Sequence, residues 1–239
     1  MRIDVLTLFP QIFTPLFHSI PLRAQKAGLV QIHLHDLREW GTGKHRQVDD
    51  QPYGGGPGMV MAAPPIVNAI NHIHALEDSG LSLEPAGIPL EPRARAHVVY
   101  LSPQGKTLTQ ARVLELAQRP RLLLLCGHYE GIDERVIELA VDEEISIGDF
   151  VVSGGELPAM LLAEAVIRVL PGAISADSVV QDSFYAGMLD HPHYTRPPEF
   201  EGLRVPDVLL SGDHQKIAQW RSRTALERTR ARRPDLLDS

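Results

Sequence analysis

The run Leu122-Leu123-Leu124-Leu125-Cys126, continued by Gly127-His128-Tyr129-Glu130-Gly131, decides the fold. Five successive apolar side chains without polar alternation mark a strand buried on both faces, as in a parallel sheet covered by helices on each side. The glycine-bounded polar residues that follow mark a loop at its carboxyl end. Working outward, the same order recurs. A strand over His97 to Leu101 runs into Ser102-Pro103-Gln104-Gly105-Lys106, and a short strand over Glu144 to Ile147 runs into Gly148-Asp149-Phe150-Val151-Val152-Ser153-Gly154-Gly155-Glu156. Helices are expected between them. Thr107 and Gln110 match a capping box opening a helix with Val113, Leu114 and Ala117 inward. Asp133 can cap Glu134 to Ala140, and Leu157 to Leu170 reads as a long apolar helix. Strand, loop and helix in repeated order indicate an α/β domain with a parallel sheet flanked by helices.

Towards the N-terminus, Ile3 to Leu8 reads as a buried strand, Ile12 to Ala27 as a helix and Val30 to Leu34 as an alternating strand. Gly41 to Met61 is a long glycine-rich loop centred on Gly54-Gly55-Gly56-Pro57-Gly58. Pro64-Pro65 starts a helix with Ile66, Ile70 and Ile73 on one face, and the proline-bearing stretch Ser79 to Arg95 reads as a surface insertion. After Pro171-Gly172 the pattern weakens. Residues 1–172 are therefore expected to form the main domain, 173–183 a linker, and 184–239 a small helical domain whose last helix, capped by Ser211, runs from about Gly212 to Arg232.

Of 239 residues, 23 are basic and 30 acidic, a formal net charge of -7 that argues against non-specific coating of nucleic acid. The charge is uneven: between His214 and Arg233 lie Lys216, Arg221, Arg223, Arg228, Arg230, Arg232 and Arg233 against the single acid Glu227, while Glu130 to Glu164 is acidic. A basic tail on an acidic body points to a local phosphate-binding surface. No apolar run approaches the roughly 20 residues that span a bilayer, and Met1 to Val5 lacks a signal peptide's apolar region. The lone Cys126 allows no disulfide within the chain, so a cytoplasmic location with no membrane partner is expected.

In open α/β sheets ligands bind outside the carboxyl ends of the strands. Three successive strands here end in glycine-rich loops, whose exposed N–H and C=O groups can read an adenine edge and ribose hydroxyls. Common nucleotide signatures fail. No G-x-G-x-x-G follows a strand, and Gly105-Lys106-Thr107 lacks the earlier glycine of a phosphate loop, since Tyr100 stands there. The pairs His33/His35, His72/His74 and His191/His193 are the only hint of metal binding; a helical pair two apart cannot share one face, and with one cysteine a structural zinc site is not expected.

Tyr100-Leu101-Ser102-Pro103-Gln104-Gly105, Cys126 to Asp133 and Ser146 to Pro158 together resemble the SPOUT family, in particular the bacterial tRNA (guanine-37-N1)-methyltransferases. So do Tyr53 to Met59, Asp190-His191-Pro192-His193-Tyr194-Thr195-Arg196-Pro197 and Val208 to Gly212, in order and nearly end to end. Phe150 stands where tyrosine is expected, His128 where arginine is frequent, Gln51 in place of arginine, and Leu81 to Arg95 as an insertion.

The resemblance implies a deep trefoil knot made from these loops, although knots are nearly absent from folds in general. It also implies a homodimer with active sites at the subunit interface, and a C-terminal helical domain that grips tRNA. S-adenosyl-L-methionine would lie against Tyr100, Leu101, Ser102, Pro103, Gly127, Tyr129, Glu130, Ile147, Gly148, Phe150, Val152, Gly154, Gly155 and Pro158. Asp182 would be the general base at guanine N1, and Arg168 would stabilise charge at O6. Glu130 would contact the guanine edge or help place a magnesium ion. Met59, His193, Arg196, Lys216, Arg228 and Arg230 would contact a tRNA carrying guanine at position 37, mainly through phosphates.

Overall fold

The computed structural model describes residues 1–75 and 95–237. Its elements in chain order are β1 (Arg2–Thr7), a 3-10 segment (Pro10–Phe17), α1 (Ser19–Lys26), β2 (Gln31–Asp36), β3 (Asp49–Asp50), β4 (Val60–Met61), α2 (Ala63–Ala75), β5 (His97–Thr107), α3 (Gln110–Leu116), β6 (Arg121–Cys126), α4 (Glu134–Ala140), β7 (Glu143–Ser146), α5 (Glu156–Val169), α6 (Ala176–Gln181), β8 (Glu199–Phe200), β9 (Leu203–Arg204), α7 (Asp207–Leu210) and α8 (His214–Arg232). The described chain forms two compact units, Met1–Ile174 and Ser175–Ser239. Among the described residues no helix is long and apolar enough to cross a membrane.

In the first unit, β2, β1, β6, β5 and β7 form a five-stranded sheet in that order, every pairing parallel. The period-2 alternation of a strand sorts its apolar side chains into two cores. Ile3, Val5, Val99, Leu101, Leu122, Leu124 and Cys126 pack with α5 residues such as Leu162 and Val166 on one face. Leu6, Val98, Tyr100, Leu123 and Leu125 pack with Ile66, Ile70 and Ile73 of α2 and Val136 of α4 on the other. The apolar run 122–126 is thus buried on both sides, as its composition demands. At the opposite end from the loops, the wholly buried Asp4 accepts from Arg2 Nη2 at 2.8 Å, Arg121 Nε at 2.9 Å and His35 Nε2 at 2.8 Å.

Several boundaries differ from the sequence expectation. The segment Ile12 to Ala27 is broken at His18, which is extended between a 3-10 segment and α1. The cap of α3 is Thr109, whose Oγ1 accepts from Arg112 N at 3.3 Å; Thr107 is the last residue of β5, and Leu116 joins Val113 in the core, with Ala117 half-buried against it as expected, in place of Leu114. The 173–183 stretch carries α6. In the tail, Ser211 follows α7, and Asp213 caps α8 by accepting from Lys216 N at 3.1 Å. The expected insertion lies outside the described residues except for Arg95.

In the second unit, the buried Thr229 of α8 donates from Oγ1 to Ala225 O at 2.8 Å and accepts from Leu189 N at 3.0 Å, fastening the 183–196 stretch to the helix.

Candidate active site

The carboxyl ends of β5, β6 and β7 open on a cavity of about 300 Å³, at the lower end of small-molecule sites. The first loop is an excursion inside β5. Leu101 and Lys106 both pair with Ile145, so Ser102 to Gly105 leaves the sheet and returns to the same partner. This corrects the reading of β5 as ending at Leu101. The return is possible because Gly105 has no side chain: a Cβ there would lie 2.4 Å from Glu144 C and Ile145 N. The second and third loops are joined directly. Gly155 N donates to Gly127 O at 2.8 Å and His128 bridges Gly154. A Cβ on Gly155 would come within 2.8 Å of Cys126 Cα, so only glycine permits this approach. The central glycine-rich loop is tied in as well: Glu130 N donates to Met59 O and Met61 N to Gly131 O, each at 3.0 Å.

Of the fourteen residues expected around the cofactor, Tyr100, Leu101, Ser102, Pro103, Gly127, Tyr129, Glu130, Ile147, Phe150, Val152, Gly154, Gly155 and Pro158 line this cavity. Gly148 does not; it turns the chain at φ 142°, and its carbonyl accepts from Phe150 N at 2.9 Å. Burial and the nearby Glu144 carboxylate push the Tyr100 phenol up to about 12, so it remains protonated. Burial also pushes the Cys126 thiol well up, which removes it as a nucleophile.

The whole chain, residues 1–239, matches the family model described as tRNA (Guanine-1)-methyltransferase TrmD. The chain belongs to that family. It is similar to proteins named tRNA (guanine-N(1)-)-methyltransferase from Chloroflexus aggregans (54% identical, covering 99% of this chain and 88% of the relative), Chromobacterium violaceum (54%, 99% and 89%) and Thermomicrobium roseum (51%, 99% and 83%).

The other expected site residues of this TrmD-family chain fall in both units. Arg168 is half-buried in the last turn of α5, in the first unit. Asp182 is half-buried in the second unit, where it follows α6 and its carbonyl accepts from Tyr185 N at 3.3 Å. Glu130 is exposed at the cavity, with its carboxylate lying over Gly58. Met59 is half-buried, and its carbonyl holds the second loop. His193, Arg196, Lys216 and Arg230 are exposed on the second unit, and Arg228 is half-buried.

Sequence reading gave no role to a chain of polar groups beneath the loops. Thr7 Oγ1 donates to Glu156 Oε1 at 2.6 Å, and His128 Nε2 lies 2.7 Å from Glu156 Oε2. Glu156 is only 3% exposed, and a buried carboxylate must be paired. The three residues link the end of β1, the second loop and the start of α5. An acidic residue opening a mostly apolar helix was the available signal. Its carboxylate is also favourably placed at the helix N-terminus.

Proposed function

We propose that this protein transfers a methyl group from S-adenosyl-L-methionine to N1 of guanine 37, beside the anticodon of tRNA. The observation that carries the reading is the convergence of three strand-end loops on one cavity in a chain of this family. The walls suit the cofactor. Leu101, Ile147 and Pro158 offer apolar surface for an adenine, the loop backbone offers donors and acceptors, and Glu130 and Glu144 offer carboxylates for its positive charge. When bound, the cofactor supplies a methyl group on a cationic sulfur.

Guanine N1 carries a proton at neutral pH, so a base must come within about 3 Å to uncover its lone pair. Asp182 takes that proton as N1 bonds to the methyl carbon and the carbon–sulfur pair returns to sulfur. Arg168 stabilises the negative charge that develops at O6. Glu130 orients the guanine edge. A magnesium ion fits the cavity poorly: Glu130, Glu134 and Glu144 line it, yet they do not converge within ligand distance of one another among the described residues.

Met59 contacts the RNA beside the cavity, while His193, Arg196, Lys216, Arg228 and Arg230 make the second unit the tRNA-holding domain, through phosphates. The reading includes a trefoil knot formed by the three loops, supported by the double pairing of Ile145 and the Gly155–Gly127 bond. It also includes a homodimer that completes the site, supported by exposed Phe150, Val151, Leu157 and Leu161 beside the cavity, and a cytoplasmic location, where its substrate is found.

Methyl transfer from labelled cofactor to tRNA bearing guanine or adenine at 37, followed by primer extension, tests this. The expected result is a block at position 37 with guanine alone. Asp182→Asn should keep cofactor and tRNA binding and lose about 10²- to 10⁴-fold in turnover. Near-normal turnover by that variant removes Asp182 as the base.

A further inference from the structure

The second unit holds a side-chain cluster that the proposed reaction does not use as such. Asp190, His191 and His193 each present a ligand atom within 4.8 Å of the others. His193 Nε2 lies 2.7 Å from Asp190 Oδ2, and His191 Nε2 lies 3.7 Å from Asp190 Oδ1. The sequence expectation against zinc rested on the helical pair and on the single cysteine. His191 and His193 lie instead in an irregular stretch, with ring centroids 4.5 Å apart.

A second observation points to a cation. The His191 side chain is 10% exposed, and its buried Nε2 has no hydrogen-bond partner. Its Nδ1 lies 3.2 Å from Pro192 O. A carbonyl oxygen only accepts, so Nδ1 carries a proton, and Nε2 is the nitrogen left to offer a lone pair to a cation. Nε2 lies 3.7 Å from Asp190 Oδ1, beyond hydrogen-bond length, so a cation held between the two would have donors on both sides. A carbonyl bond at the far nitrogen is also how proteins fix an imidazole for metal ligation.

The surroundings hold the donors in place. Asp190 N donates to Ser183 Oγ at 3.0 Å, His191 N to Asp190 Oδ1 at 2.6 Å, and Leu189 N to Thr229 Oγ1 at 3.0 Å. Bonds of about 2.1 Å put tetrahedral zinc ligands about 3.4 Å apart. The 3.7 Å spacing is close to this, and the 2.7 Å separation opens by some tenths when a cation replaces the shared proton.

We propose that Asp190, His191 and His193 form a binding site for a divalent transition cation of the zinc class, with the fourth position left to solvent. Two imidazoles select such an ion over magnesium, which takes oxygen donors. Bound there, it pins the turn that carries Tyr194 and Arg196 into a groove lined also by Trp220 and Arg221.

The test uses the full chain without a histidine tag, stripped by chelator. Zinc affinity is measured by competition with a chromophoric chelator, and cobalt(II) absorption reports tetrahedral geometry. The wild-type chain should take up one equivalent. His193→Ala replaces a side chain that is 69% exposed, so folding is spared; it and His191→Asn should each weaken binding more than about 100-fold. His214→Ala, an exposed control, should bind as wild type. The proposal is overturned if the wild-type chain takes up no stoichiometric zinc, or if His193→Ala and His191→Asn bind it as tightly as wild type.

Discussion

Asp4 stands between two guanidiniums and an imidazole with no exposure to solvent. Burial alone would raise its pKa. Hydrogen bonds from His35 and Arg2, with the charges of Arg2 and Arg121, outweigh burial and hold the carboxyl well below the usual carboxylate range. The folded value therefore lies below the unfolded one. Its contribution is complete above the ordinary pKa of about 4 and is lost as pH falls towards the folded value. Asp4→Asn should cost about 3–5 kcal/mol at neutral pH, because it leaves two guanidiniums buried without their counter-charge. Below roughly pH 4 the gap between wild type and variant should narrow by about 1.4 kcal/mol per pH unit. Urea denaturation across pH 2.5 to 7 measures it; a constant gap would mean that Asp4 is not the group responsible.

Among the helices, α8 is set apart by its charge. Lys216, Arg223 and Arg230 recur every seventh residue, which places them on one side of the helix, and all three are exposed. This stripe is the part of the tail best placed to follow a phosphate backbone. Changing all three to glutamine should weaken tRNA binding and lower the slope of log affinity against log salt by about 1 for each phosphate no longer neutralised. An unchanged slope would mean the stripe is only solvated. At this scale the sequence was legible where one signal dominated. The run 122–126, the apolar face Ile66, Ile70 and Ile73, and Asp133 before α4 each had a single reading. It misled where local signals competed or tertiary partners decided. Ser211 and Asp213 both offer caps, and Asp213 takes α8. Pro103 and Gly105 look like a turn that ends a strand, but β7 receives the chain on both sides of the excursion. The polar chain Thr7–Glu156–His128 joins positions up to 149 apart, and no spacing rule reaches that far.

For the molecule as a whole, the surface beside the cavity exposes several large apolar side chains. Val151 is 82% exposed, and Leu157 and Leu161, four apart on the outward side of α5, are each more than half exposed. Exposed apolar side chains gathered beside a site suit cover by a partner, and a second copy of the chain is the occupant proposed above. Leu161→Glu should give a folded chain that sediments as a single copy and has lost methyl transfer. A wild-type chain that sediments as a single copy at micromolar concentration would remove the dimer from the reading.

The strand order has a consequence for synthesis. β1 is a central strand, paired by β2 on one side and by β6 on the other. Its partner Gln31 follows Arg2 closely, but Arg121 is 119 positions on (121 minus 2). At about 5–20 residues per second, the nascent β1, paired by β2 once Asp36 is made, keeps its other edge unpaired for roughly 4 to 17 seconds before β6 begins at Arg121. A helper that shields unpaired strand edges at the ribosome would have that interval in which to act, on the β1 edge.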